Sequence, residues 1–214
     1  MLHHYNTAKG FGEHEINIER SRFITYVNRV ESEEEAQEFI ASIKKKHSGA
    51  NHNCSAYMIG ENNLIQKAND DGEPSGTAGV PMLEVLKKRN LKDTVVVVTR
   101  YFGGIKLGAG GLIRAYGRAT SEGLNAAGIV ERSLMRIMRS TIDYTWLGKV
   151  ENEVRSSDYQ LKDIHYLEAV EVEVYVEEAN KSAFIEWMTE LTNGQADIIE
   201  GDVEYLETPV ETNL

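Results

Sequence analysis

The chain has 214 residues, 41% of them hydrophobic and 27% charged, which suits one large domain or two small ones and excludes general disorder. Its start carries no apolar core of signal-peptide length and no run of about 18 apolar residues occurs, so neither secretion nor membrane spanning is expected and the cytoplasm is the default compartment. The net charge of −11 is unevenly spread, with 17 Lys and Arg against 16 Asp and Glu up to Ser133, and 6 against 18 from Leu134 onward; an anionic ligand or nucleic acid is therefore expected only on the first part.

His3 and His4 stand in a terminus expected to fray. Residues 12–30 alternate apolar and polar side chains around a break at Glu19-Arg20-Ser21, which predicts a hairpin. Ser32 and Glu35 form a capping box for a helix with Ala36, Phe39, Ile40 and Ile43 on one stripe, and Lys44 to Lys46 complement its C-terminal dipole. His47 and His52 follow across a turn. With Cys54 as the only cysteine they lack a zinc set, and Cys54 reads as a buried apolar residue. Residues 54–59 and 64–67 predict two strands joined at residues 60–63. The turn-rich stretch DDGEPSGTAGVP, residues 70–81, precedes a helix to about Arg89 that Thr77 or Gly79 is placed to cap. Residues 95–98 are a continuous valine run, which suits a strand covered on both faces. A helix then runs from about Gly110 to Ala127 and stops at Gly128.

Beyond Ser133 a complete set of elements restarts: strand, helix, strand, strand, helix, strand. In the third strand Val170, Val172, Val174 and Val176 alternate with Glu171 and Glu173, giving one apolar and one acidic face. The βαββαβ order predicts a ferredoxin-like split βαβ sandwich. The expected fold is α+β, with domains at residues 1–133 and 134–214.

The most informative segment is RYFGGIKLGAGGLIRAYG, residues 100–117, where the valine strand gives way to a helix. Gly108, Gly110 and Gly111 strip side chains from the helix start, so backbone N–H groups can approach a ligand, and Arg100, Lys106 and Arg114 add positive charge. Tyr101, interleaved with them, suits base stacking as well as packing, whereas Phe102 is assigned to packing. Glycines at such a junction also serve tight turning alone. No Walker loop is present, and a Rossmann fingerprint would need glycine where Ile113 stands. In the second loop His52, Asp70, Asp71, Glu73, Ser75 and Thr77 supply groups for a magnesium ion or a positioned water, or for ordinary turn and cap duties. The spacing fits no EF-hand, and Ser75 lacks the glycines of a nucleophile elbow. No catalytic residue, metal or cofactor is assigned.

These residues carry a resemblance. DDGEPSGTAGVPML (residues 70–83) and VVVVTRYFGGIKLGAGGLIRAYG (residues 95–117), with Ser21 to Phe23, His52 and Cys54, resemble the IMPACT family over roughly residues 12–130. The remainder resembles the C-terminal domain of bacterial members, itself similar to the last domain of elongation factor G. The resemblance implies an N-terminal domain of the fold shared by a small-subunit ribosomal protein domain, a domain of elongation factor G and the GHMP kinases. It also implies a link to translation, since eukaryotic members restrain the kinase that slows initiation during amino-acid starvation. Those members carry an additional N-terminal domain that is not matched here, so the restraining activity is not carried over. Asn53 stands where family members often have a second histidine.

The leading expectation is a non-enzymatic RNA- or ribosome-binding protein that uses the glycine loop, with the acidic second half meeting a basic protein partner or acting as a spacer. The rival is an enzyme holding a nucleotide or phosphorylated metabolite, which needs the loops at residues 70–77 and 100–111 to converge. A protein-interaction adaptor is the third.

Overall fold

The computed structural model describes residues 2–210. Within them the chain forms two compact units, one holding the residues up to Arg132 together with those from Glu207 onward, the other Ser133–Leu206.

In the first unit the terminus expected to fray is a strand, β1 (His4–Ala8), with Tyr5, Thr7 and Ala8 buried and His4 exposed at its start. The Lys92 N–H donates to the Asn6 carbonyl and the Ala8 N–H to the Thr94 hydroxyl, so its backbone is tied to residues far along the chain. β2 (Gly12–Ile18) and β3 (Ser21–Arg29) make the expected hairpin. It turns at Glu19 and Arg20, both left-handed with φ of 45° and 64°, the twist that a two-residue hairpin needs. α1 (Glu33–Lys46) begins at Ser32, whose hydroxyl accepts the Glu35 N–H at 3.1 Å. The Glu35 carboxylate reaches back to the Glu31 N–H at 2.8 Å, so the capping box closes one residue earlier than in its usual form.

β4 (His52–Ile59) and β5 (Ile65–Asn69) form a second hairpin. After α2 (Gly79–Lys88), β6 (Thr94–Tyr101) enters between the two hairpins, giving the order β2-β3-β6-β4-β5 with every pair antiparallel. The valine run is explained by cover on both sides. Val95 and Val97 join clusters with Ala36 and Ile43 of α1, while Val96 and Val98 pack with Met82 and Leu86 of α2 and with Leu112 and Tyr116 of α3 (Gly108–Ala127). Each such valine contributes about 1.5–3 kcal/mol relative to exposure.

The second unit takes up β7 (Ile129–Ile142), α4 (Tyr144–Ser156), β8 (Gln160–Tyr166), β9 (Val170–Val176), α5 (Lys181–Leu191) and β10 (Asp197–Pro209), in the expected order. β7 begins and β10 ends in the first unit. β9 lies between β7 and β8, and β10 pairs with β7. The valines of β9 are buried with Val150, Val154, Phe184 and Met188. The opposite face is less acidic than the strand alone suggests, because Glu173 meets Arg139 at 2.7 Å and Lys162 at 3.5 Å. No helix among the described residues is long and apolar enough to cross a membrane.

Candidate functional site

At the end of β6 the two loops meet. Arg100 is 5% exposed and Glu73 8%, and the Arg100 Nη1 donates to Glu73 Oε1 at 2.7 Å. The same carboxylate oxygen accepts from the Tyr116 hydroxyl of α3 at 2.8 Å. Tyr116 in turn faces the Cys54 thiol at 3.3 Å, and that thiol also reaches the Asp70 carbonyl at 3.0 Å. Burial pushes the Cys54 thiol up to about 12 against the opposing pull of the Tyr116 hydrogen bond, with the neighbouring carboxylates adding a smaller rise, and burial likewise raises the Tyr116 phenol. Cys54 therefore stays a neutral core thiol, as the sequence implied. His52, paired in register with Arg100, donates through Nδ1 to the Asp71 carbonyl at 2.9 Å. A carbonyl only accepts, so Nδ1 carries the proton and Nε2 faces Glu73 Oε2 at 3.8 Å.

The rest of the second loop is committed to holding itself. Asp70 accepts the N–H groups of Gly76 at 2.8 Å, Ala78 at 3.0 Å and Gly79 at 2.8 Å. It caps α2 from nine residues upstream, whereas Thr77, an expected cap, donates its hydroxyl to the Pro74 carbonyl at 2.6 Å. Burial alone would raise the Asp70 carboxyl, but the three N–H donors hold it below its ordinary value. Asp71 accepts from the Lys44 ammonium at 2.6 Å and the Asn53 N–H at 2.6 Å. Its carboxyl too is lowered, burial being outweighed by those donors. In this loop Asp70, Asp71 and Glu73 each serve a different protein partner, and Ser75 is exposed.

The basic residues divide into two kinds. Arg100, expected among the anion-facing cations, is buried and matched by Glu73. Lys106 and Arg114 are exposed, and neither makes an ion pair among the described residues. Arg20, at the tip of the β2-β3 hairpin, is exposed beside the same loop: a Cβ on Gly103 would stand 2.0 Å from the Arg20 carbonyl oxygen. Only glycine permits that approach. Lys106, Gly111, Arg114 and Arg118 line a cleft of about 430 Å³ with Glu19 and Ile105. α3 opens there without a side-chain cap and with no acidic residue in its first turn, so its leading N–H groups present partial positive charge. Gly108 takes φ of 67° at that start.

Among the aromatic residues Phe102 departs from expectation. Phe102, assigned to packing, is 44% exposed, while Tyr116 is fully buried. Tyr101 is half-buried and bonded through its hydroxyl to His47 Nδ1 at 2.8 Å, with His47 Nε2 on the Tyr26 hydroxyl at 2.6 Å. No spacing rule links those three residues; they meet only because β3, β6 and the end of α1 converge.

The Impact N-terminal domain profile matches residues 19–124, and a domain of unknown function, DUF1949, matches residues 141–195. The chain is 71% identical to the IMPACT family member YvyE of Bacillus subtilis over 98% of this chain and 97% of that protein. It is 36% identical to an IMPACT family member of Haemophilus influenzae over 85% of this chain and 89% of that one. A solved structure described as that of a hypothetical protein aligns with a TM-score of 0.60 at 27% identity, covering 94% of this chain and 99% of the other. Sequence likeness across both units and the matching fold agree, and the chain belongs to the IMPACT family.

Proposed function

We propose that this chain is a cytoplasmic RNA- or ribosome-binding protein linked to the regulation of translation, with its contact surface at the glycine-loop end of the first unit. The observation that carries the reading is the pairing of exposed, unmatched Lys106 and Arg114 with the uncapped start of α3. Phosphate groups satisfy free helix N–H donors and neutralise such cations together. The near-neutral first half favours an anionic ligand there, while the carboxylate excess of the second half repels one and suits a basic protein partner. The βαββαβ order of the second unit, with β10, β7, β9 and β8 adjacent in that sequence, fits the ferredoxin-like sandwich of translation-factor relatives.

Binding of the purified chain to total RNA and to ribosomal subunits across a salt series tests this. Lys106→Ala with Arg114→Ala should weaken binding and flatten the log–log salt slope by roughly 1.4 to 1.8 for two lost phosphate contacts. Unchanged affinity and slope would remove the surface from consideration.

A second reading, a phosphorylated-metabolite or nucleotide enzyme, is favoured by the convergence of the two loops at Glu73 and Arg100. Its test is the same series with small phosphorylated molecules in place of RNA.

A further inference from the structure

A second cleft, of about 370 Å³, opens beside the first, lined by Glu73, Pro74, Arg100, Phe102, Lys106 and Leu107 and closed by Gly108, Ala109 and Leu112 of α3. Its size is that of a small-ligand pocket, and its walls are mostly apolar with few polar groups, the usual make-up of such sites. We propose that it holds one nucleoside monophosphate unit, the base against Phe102 and the phosphate at the first turn of α3 beside Lys106. The proposal rests on the reading above that this end of the unit accepts phosphate.

Four observations converge on that ligand. Phe102 leaves 44% of its surface open although it lines a pocket, and the Arg100 guanidinium carbon, in the same cleft wall, lies 5.5 Å from its ring centroid. An exposed aromatic ring beside cations is the platform that single-stranded nucleic acids use. Arg100, nine-tenths buried in the cleft wall, commits Nη1 to Glu73 and Nη2 to the Ser21 hydroxyl at 3.4 Å, and its Nε has no partner. A buried donor left unmatched is uncommon in a finished core and marks a wall built for more than packing. Because Glu73 and Arg100 cancel, Lys106 leaves the cleft net positive. Finally, a Cβ at Gly110 would meet nothing nearer than Arg114 Nη1 at 3.6 Å. Packing does not demand glycine there, yet glycine in a helix is unfavourable by about 1 kcal/mol against alanine; clear space beside the leading N–H groups accounts for it.

The test is calorimetric titration of the full chain with adenosine 5′-monophosphate, adenosine, inorganic phosphate, and two single-stranded RNA oligonucleotides differing only in a 5′-phosphate. The monophosphate should bind more tightly than adenosine or phosphate alone. Phe102→Ala should weaken it about tenfold, the scale of one base–aromatic stack, and Lys106→Ala should weaken it and reduce its salt dependence. Both side chains are exposed, and thermal melts would verify that the variants fold. Competition between the monophosphate and the 5′-phosphorylated strand identifies a strand end as the source; monophosphate binding with indifference to the strands identifies a free nucleotide, and either supports the site. A monophosphate that binds no better than phosphate, or as well to Phe102→Ala, overturns it. If total RNA binding falls in the Lys106/Arg114 variant while the monophosphate binds Phe102→Ala as well as it binds the parent chain, this inference fails and the RNA reading stands.

Discussion

The guanidinium of Arg100 and the carboxylate of Glu73 meet at 2.7 Å, each more than nine-tenths buried, and so fasten the end of β6 to the loop before α2. Taking one partner away leaves an unmatched charge inside the unit. Arg100→Met should lower unfolding stability by about 3–5 kcal/mol. The double variant Arg100→Met with Glu73→Gln, which keeps an acceptor for Tyr116, should recover more than half of that loss. Urea unfolding of the two variants checks it, and a double variant as unstable as the single would refute the pairing.

Asp70 gathers three backbone N–H groups that would otherwise stand open. Asp70→Ala should cost at least about 2 kcal/mol, since each buried donor left without an acceptor is penalised. The carboxyls of Asp70 and Asp71 lie below their ordinary value, so the unfolded chain takes up protons first as pH falls. Their stabilisation is complete above an unfolded value of about 3.9 and drains away as pH drops through the folded values. Denaturant midpoints from pH 6 to pH 2 should fall less steeply for Asp71→Asn than for the parent chain.

His47 is held neutral between Tyr26 and Tyr101. Burial lowers its pKa, with Lys46 adding to the effect. Protonation is therefore easier in the unfolded chain, and stability is full above about pH 6.5 and declines below it until the folded value is passed. In His47→Gln the part of the pH dependence between pH 7 and 5 should disappear. Chemical-denaturation midpoints at those two pH values would differ in the parent and agree in the variant.

Gly103→Ala places a methyl group 2.0 Å from the Arg20 carbonyl oxygen and 2.1 Å from its carbon. Backbone cannot yield as a side-chain tip does, so the hairpin tip must shift, at about 1–3 kcal/mol or more. Amide chemical shifts should change at Glu19 and Arg20, and RNA affinity should drop if the tip belongs to the contact surface. Shifts confined to residues 102–104 would contradict this.

What was legible in the sequence follows from what is local. The valine alternation in β9, the Ser32 cap and the turn at Glu19 and Arg20 each depend on residues a few positions apart, and each stands where expected. The glycine loop was located by composition, and the family by its motifs. Other features depend on tertiary approach. β1 was missed because His4 to Ala8 finds its partners near Leu91 and Gly128. The burial of Arg100 against Glu73 is not legible in the sequence because the partner lies 27 residues away, and no spacing rule announces such a pair. Asp70 capping a helix nine residues on has no short motif to betray it. Phe102 was assigned inward by hydrophobicity alone, although one-residue exposures at loop ends are set by the turn.

β6 is the shared neighbour of two hairpins that precede it in the chain, meeting Arg22 through Tyr101 on one side and His52 through Arg100 on the other. On a ribosome releasing the chain from its N-terminus, both hairpins emerge before the strand that joins them. Until residues 94–101 clear the exit tunnel, β3 and β4 each present an unpaired inner edge, the kind that recruits foreign strands. The first sheet thus cannot close before β6 emerges, and a nascent chain stalled short of Thr94 carries two such open edges.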